Sequence, residues 1–173
     1  IMRQLDQSRF NAIVSRIKAS GVAMVPTQIL LDNYASDATG DVLTSLPEFK
    51  YWVPQQTAAW RMNKNNYLAQ PPVPREHRQE FITLRRRLIK ALYVGGVPFL
   101  LGSDAPQLWN VPGFSAHREL GALVAAGLTP YQALRTGTVD VARFMGEEGR
   151  SGVVHVGARA DLMLLDANPL EAI

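Results

Sequence analysis

The sequence predicts an α/β fold, because amphipathic helical segments alternate with short segments that are apolar throughout. In residues 6–20, apolar side chains recur at the spacing of one helix face: Phe10, Ile13, Val14 and Ile17. Residues 22–25 and 97–101 are instead apolar without alternation, which is typical of strands buried on both faces of a parallel sheet. The second apolar run continues through Gly102 and Ser103 and ends in a carboxylate, Asp104.

The rest of the chain divides into predicted helices and one long irregular region. Helices are expected over residues 76–94, 115–126 and 139–145 from their apolar spacing and flanking glycines. Residues 31–74 contain five of the eleven prolines and are predicted to form a long loop, with a short helix around 55–62. Such a loop either covers a binding site or packs against the core, and the sequence does not separate these two roles.

The last part of the chain changes character after Gly149. Before it, Thr129, Pro130 and Gln132 combine three signals for the start of a helix, including both residues of a capping box. After it, residues 152–157 and 160–166 are predicted as two strands of a small β layer. The predicted domain boundaries are therefore 1–149 and 150–173.

Composition excludes several classes of protein. The 173 residues are 47% hydrophobic and 19% charged, which fits a globular chain large enough for a core. A net charge of +3 does not indicate nucleic acid as the main partner, and no apolar run approaches the roughly 20 residues of a membrane helix. Because the chain has no cysteine, disulfide scaffolds and thiolate metal sites are excluded. The sequence does not predict the cellular compartment. Because the chain begins with Ile1, we expect it to be a piece of a longer protein.

Asp104 and His117 are the two candidate site residues. A carboxylate at the carboxyl end of a buried strand lies where parallel α/β folds place their chemistry, although Asp also caps turns before Ala-Pro. His117 lies in the first turn of the next predicted helix, either facing the same site or simply exposed. No two of the three histidines have metal-ligand spacing, and His117-Arg118-Glu119 lacks the cysteines of a zinc deaminase site.

Four motifs in order resemble the C-terminal part of the metal-dependent amidohydrolase superfamily. They occupy residues 100–106, 112–120, 126–134 and 157–170. Within the superfamily, the chain looks most like the imidazolonepropionase-related and prolidase-like branch. The resemblance implies the C-terminal portion of a (β/α)₈ TIM-type barrel, namely strands seven and eight with their helices in residues 1–149. It also implies two strands of a small β-sandwich in residues 150–173.

The same resemblance implies a function for both candidate residues. Asp104 would be a ligand of a divalent metal, one or two zinc ions, and the general base that takes a proton from the metal-activated water. His117 would bind substrate. The His-x-His and the other metal ligands of the family have no counterpart in this sequence. They are expected upstream of Ile1 or in another chain, so the 173 residues alone are expected to be inactive.

Three functions follow as alternatives. The first is a prolidase-like dipeptidase that cleaves an amide bond, and the second is a cyclic-amide hydrolase of the imidazolonepropionase type. The third is a non-catalytic interaction domain derived from this fold, in which Asp104 is only a turn residue. The expected partners are a dipeptide or another small-molecule substrate, the remainder of the barrel and a second copy of the chain. No nucleic acid and no membrane are expected.

Overall fold

The computed structural model describes residues 7–70, 72–171 and 173. Their regular structure is dominated by α-helices: α1 (Phe10–Ser20), α2 (Gln28–Ala35), α3 (Gly40–Thr44), α4 (Pro54–Ala69), α5 (Arg75–Val94), α6 (Phe114–Ala125), α7 (Pro130–Thr136) and α8 (Val139–Phe144). Two short 3₁₀ helices, Gln7–Arg9 and Pro47–Tyr51, lie before α1 and between α3 and α4. Among the described helices, none is both long and apolar enough to cross a bilayer.

The α/β prediction, including the portion of a (β/α)₈ barrel, is wrong for the residues that the structure describes. The predicted strands 22–25 and 97–104 meet at a single parallel bridge between Met24 and Phe99. The Met24 N–H donates to the Pro98 carbonyl at 2.8 Å, and the Leu100 N–H donates to the Met24 carbonyl at 2.9 Å. A parallel sheet needs further neighbours to pair the remaining backbone groups. One bridge between two apolar segments does not supply that ladder.

The two predicted sandwich strands are also wrong. Residues 152–157 and 160–166 form turns and extended segments, and neither range contains a strand. Their apolar side chains are exposed: Val156 and Leu164 both reach 102% relative exposure. A pattern of apolar residues stabilises a strand only where another layer covers one face. Within the described chain, residues 160–166 are exposed throughout, and in residues 152–157 Val153 alone among the apolar side chains is partly buried.

The predicted helices outside the long loop are confirmed. The helix predicted over 6–20 is α1, preceded by a 3₁₀ turn, although residue 6 lies outside the described residues. The predicted helices over 76–94, 115–126 and 139–145 correspond to α5, α6 and α8. The capping box of α7 is present as well. The Thr129 hydroxyl accepts from the Gln132 N–H at 3.2 Å, and the Gln132 side chain accepts from the Thr129 N–H at 2.9 Å.

The long loop predicted over 31–74 is wrong, because most of it is helical. It contains the end of α2, all of α3 and the 16-residue helix α4; Pro71 lies outside the described residues. The short helix predicted around 55–62 is confirmed, since it lies within α4, but α4 extends beyond it to Ala69. Close packing of α3 on α4 stabilises this region. The Gly40 N–H donates to the Asn65 side chain at 2.7 Å, and a Cβ at position 40 would collide with the Arg61 carbonyl. The sequence of α4 shows little apolar periodicity, so tertiary contacts rather than local pattern decide its structure.

Two clusters of buried apolar side chains form the core. The first joins α5, α6 and the bridged segments: Ile89, Leu92, Val97, Phe99, Leu120, Leu123, Ala126, Leu128 and Ala133. The second joins α3, α4 and the segment after Asp104: Leu43, Phe49, Trp60, Trp109 and Val111. The segment 100–113 runs from one cluster to the other. It is therefore fixed at both ends, and Asp104 lies between the two points of attachment.

Candidate active site

Asp104 is exposed and has a left-handed backbone conformation, with φ of 57°. Thr27, which follows the other bridged segment, is also left-handed, with φ of 46°. Positive φ costs energy in residues other than glycine and persists only where the surroundings impose it. Such strain is often found at functional sites. Both bridged segments thus end in a strained residue that carries an oxygen-containing side chain.

The ends of the two bridged segments lie against each other. A Cβ added to Gly102 would meet the Val25 side chain, so glycine is required for the two backbones to approach this closely. Asp104 follows two residues later, and Thr27 two residues after Val25. The residues that follow both segments are therefore close to the same contact.

A buried hydrogen-bond network lies directly behind Asp104. The hydroxyls of Ser103 and Ser115 are 2.8 Å apart, and Ser115 belongs to the first turn of α6. The Asn110 side chain donates to the Ser103 carbonyl at 2.6 Å and accepts from the Asn33 side chain at 3.3 Å. Buried polar groups that are fully paired fix local geometry. This network holds the backbone on the N-terminal side of Asp104 in place.

Trp109 fixes the segment after Asp104. It is 3% exposed, has φ of 65°, and donates its indole N–H to the Trp60 carbonyl at 3.3 Å. Its ring packs in the second core cluster on α4. A buried, hydrogen-bonded tryptophan with positive φ is a strained residue held by tertiary contacts. No sequence signal indicates this role, because the left-handed residue is not a glycine.

Helix α2 is fixed at its N-terminus by the buried carboxylate of Glu119 in α6. The two carboxylate oxygens accept from the Gln28 N–H at 2.9 Å and the Ile29 N–H at 2.7 Å. Burial raises the pKa of Glu119 to about 7, against the opposing effect of these two hydrogen bonds. Sequence reasoning missed this residue, although Glu119 is four residues from both Ser115 and Leu123 and so lies on the buried face of its helix.

The C-terminus of α2 is fixed by a second buried charge, Lys64 of α4. Its ammonium donates to the carbonyls of Asn33, Tyr34 and Ser36, each at 2.8 Å. Burial, and then the neighbouring Arg78, lower the pKa of Lys64 to about 8. The Lys64 ammonium at the C-terminus matches the helix dipole, and Glu119 at the N-terminus does so in its ionised form, above about pH 7. Because Asn33 of α2 supports Asn110, this arrangement also stabilises the network behind Asp104.

In the described structure, His117 forms no hydrogen bond or ion pair with Asp104. It is exposed on α6, two residues before Glu119. The next residue, Arg118, forms an ion pair with the buried Glu48 at 2.6 Å. The predicted substrate-binding role of His117 is not tested by these observations and stays a prediction.

The described residues do not by themselves form a metal site. The carboxylate of Asp104 has no hydrogen bond or ion pair within residues 7–70, 72–171 and 173, so it is free to bind a ligand. In the same part of the chain, no three His, Asp or Glu side chains lie close enough together to hold an ion. A divalent metal needs several ligands. Asp104 supplies one at most.

Comparison with known proteins gives one match. The family model described as "Amidohydrolase family" matches residues 60–172, about two thirds of the chain, and the matched range includes Asp104 and three residues of the network behind it, Ser103, Asn110 and Ser115, but not Asn33. Neither the comparison with curated proteins nor that with solved structures found a match. The prolidase-like and imidazolonepropionase-related branch is not confirmed by these comparisons.

Proposed function

We propose, from the premise that this chain belongs to the amidohydrolase family, that Asp104 is the carboxylate that transfers protons when the whole protein hydrolyses an amide bond. Family membership supports hydrolase activity in general. The observation that supports Asp104 is its position: a strained, exposed and unpaired carboxylate held above a buried hydrogen-bond network.

The proposed step is a proton transfer that Asp104 performs twice. Its carboxylate takes a proton from the water whose oxygen attacks the carbonyl carbon of the amide. The same proton then passes to the nitrogen of the leaving amine as the C–N bond breaks. The products are a carboxylic acid and an amine, and Asp104 returns to its ionised state.

The divalent metal that the family resemblance implies would need ligands from outside the described residues. The described residues bring no three potential ligands together, so the role derived for Asp104 is proton transfer. Zinc is the ion we propose, with its remaining ligands in other residues of the protein or in another chain. The substrate that we propose is a dipeptide, and cyclic amides form the second substrate class to be tested.

The test compares Asp104→Asn with the parent protein and with Asp166→Asn, all expressed from the whole gene. Asp166 is a matched control, because it is an exposed aspartate remote in sequence from the network. Hydrolysis of a dipeptide panel and of a cyclic amide is followed by amine release, and bound metal is measured by elemental analysis. We expect Asp104→Asn to lower kcat/KM by about 10²-fold or more, the usual range for loss of a general base. Asp166→Asn should change it less than twofold.

Two results would overturn this proposal. Full activity and full metal content in Asp104→Asn would make Asp104 a turn residue. A parent protein that neither binds metal nor hydrolyses any of these amides would instead be a non-catalytic interaction domain derived from this family.

A further inference from the structure

We propose that the exposed aromatic pair Tyr51–Phe114, together with Lys50, is a recognition surface beside Asp104 for amides that carry both an aromatic group and a carboxylate. This inference rests on the proposed function, because it assigns a substrate class to the same site. The pair is referred to below as the aromatic platform.

The aromatic platform is a stacked pair that remains open to solvent. The ring centroids are 5.8 Å apart, and the ring planes differ by 19°. Tyr51 is 67% exposed and Phe114 is 40% exposed. Most other aromatic pairs in the described chain involve a core residue, whereas this pair leaves ring surface uncovered. Exposed aromatic surface of this kind is common where a protein binds a ligand.

The platform is held rigidly by the elements on which it lies. Tyr51 is the last residue of the 3₁₀ helix Pro47–Tyr51, and Phe114 is the first residue of α6. Within that 3₁₀ helix, Phe49 is in the second core cluster, and Glu48 is 1% exposed. The Glu48 carboxylate accepts from Arg118 of α6 at 2.6 Å. This ion pair lies one turn after the start of α6. It therefore connects the 3₁₀ helix that carries Tyr51 to the helix that carries Phe114.

The hydrogen bond between Ser103 and Ser115 places the platform near Asp104. Its two oxygens are 2.8 Å apart, and Asp104 and Phe114 are the chain neighbours of these two serines. With about 3.8 Å between consecutive Cα atoms, the Cα atoms of Asp104 and Phe114 are at most about 15 Å apart. An extended chain covers ~3.5 Å per residue. A dipeptide-sized substrate spans ~7 Å along its backbone, so its contact with the platform from Asp104 requires the side chains of Asp104 and Phe114 to extend toward each other.

Lys50 adds a positive charge at the platform. Its ammonium lies 4.7 Å from the centre of the Tyr51 ring, and the residue is exposed. Within the described residues it forms no ion pair with a carboxylate. A cation that is unpaired and near an aromatic face is complementary to a ligand with both a ring and an anionic group. An N-acylated aromatic amino acid has this combination and also contains the amide bond.

Binding tests this proposal independently of catalysis. The ligands are N-acetylphenylalanine and N-acetylalanine, which differ only in the ring, and their Kd values for the whole protein are measured by calorimetry. We expect tighter binding of the aromatic ligand, and Tyr51→Ala should weaken it by about 3- to 10-fold, the equivalent of one aromatic contact. N-acetylalanine should change less than twofold. Tyr51→Phe, which keeps the ring, should retain the parent preference.

Tyr131→Ala is the matched control. Tyr131 is 59% exposed, and the Arg135 guanidinium lies 6.0 Å from its ring centre, so it resembles Tyr51 in exposure and in its cationic neighbour. It belongs to α7, away from the 3₁₀ helix and the start of α6. This variant should bind both ligands as the parent does. A second variant, Lys50→Met, should weaken N-acetylphenylalanine without affecting its uncharged amide derivative.

Failure of this inference is distinguishable from failure of the proposed function. No binding of either ligand, equal binding of both, or equal weakening of both by Tyr51→Ala would overturn the aromatic platform as a recognition surface. Loss of the proposed function is judged separately, by the activity of Asp104→Asn.

Discussion

The pH dependence of folding stability should reveal the buried carboxylate of Glu119. This side chain is 0% exposed and accepts two backbone N–H groups at the start of α2. Burial raises its pKa from 4.5 to about 7, and Asp32 adds to the effect. The hydrogen bonds from Ile29 and Gln28, and then the nearby Arg85, act in the opposite direction. The desolvation of the charge is therefore larger than the gain from the helix terminus.

The sign and size of the effect follow from proton linkage. Between pH 4.5 and about 7, the folded protein keeps the Glu119 proton and the unfolded chain has lost it. The folded state thus binds more protons in this window, so the free energy of unfolding must fall as the pH rises through it. A pKa difference of this size corresponds to about 3 kcal/mol. The stabilisation is fully present below pH 4.5 and is lost by about pH 7.

Glu119→Gln removes this titration while keeping the shape of the side chain. The free energy of unfolding is measured by urea denaturation, followed by tryptophan fluorescence, at intervals from pH 4 to pH 8. We expect the stability of the parent minus that of the variant to decrease by about 3 kcal/mol across this range. Glu80→Gln, the same change at an exposed position of α5, should give a constant difference. A constant or increasing difference for Glu119→Gln would show that the carboxylate is ionised in the fold at low pH, and the argument would be refuted.

Three further changes test the packing and the caps by the same denaturation method. Leu123→Ala removes a side chain that is 0% exposed in the first core cluster and should cost about 3 kcal/mol, unless that cluster collapses around the space. Thr129→Ala removes the capping box of α7 and should lower the free energy of unfolding by about 1 kcal/mol. Thr129→Ser keeps a hydroxyl at this position and should retain most of the parent stability. Lys64→Met removes three hydrogen bonds to carbonyls and should cost about 2 kcal/mol at pH 7. The parent, but not this variant, should gain stability between pH 8 and 10.5, because folded Lys64 releases its proton before the unfolded chain does.

Local signals predicted the helices well and the strands poorly. Amphipathic spacing and end signals located α1, α5, α6 and α8 and the capping box at Thr129. These signals act within one element, so they need no knowledge of the rest of the fold. The apolar segments around Met24 and Phe99 are only partly buried, and they form one bridge instead of a sheet. A strand is stabilised by its neighbours, and the sequence of one segment does not contain them.

For the candidate site, too, the sequence predicted one part and the tertiary structure decided the rest. The sequence singled out Asp104 by its position after a buried segment, and the structure shows its left-handed backbone and its exposure. Its support was not predictable, because Ser103, Asn110 and Asn33 are polar residues without a motif. The buried charges Glu119 and Lys64 were also missed. A charged residue is normally expected at the surface, and the hydrogen bonds formed where α2 meets α4 and α6 offset only part of the desolvation of these two groups.

The sequence alone therefore determined where most helices begin and end, which carboxylate follows the second buried segment, and the family to which the chain belongs. These properties depend on residue order over short distances. Tertiary structure decided α2, α3 and the extension of α4 beyond the short helix predicted around 55–62, the absence of a sheet in the described chain, and the aromatic platform at Tyr51 and Phe114. Each of these depends on contacts between residues far apart in the chain, whose energies appear only once the elements pack together.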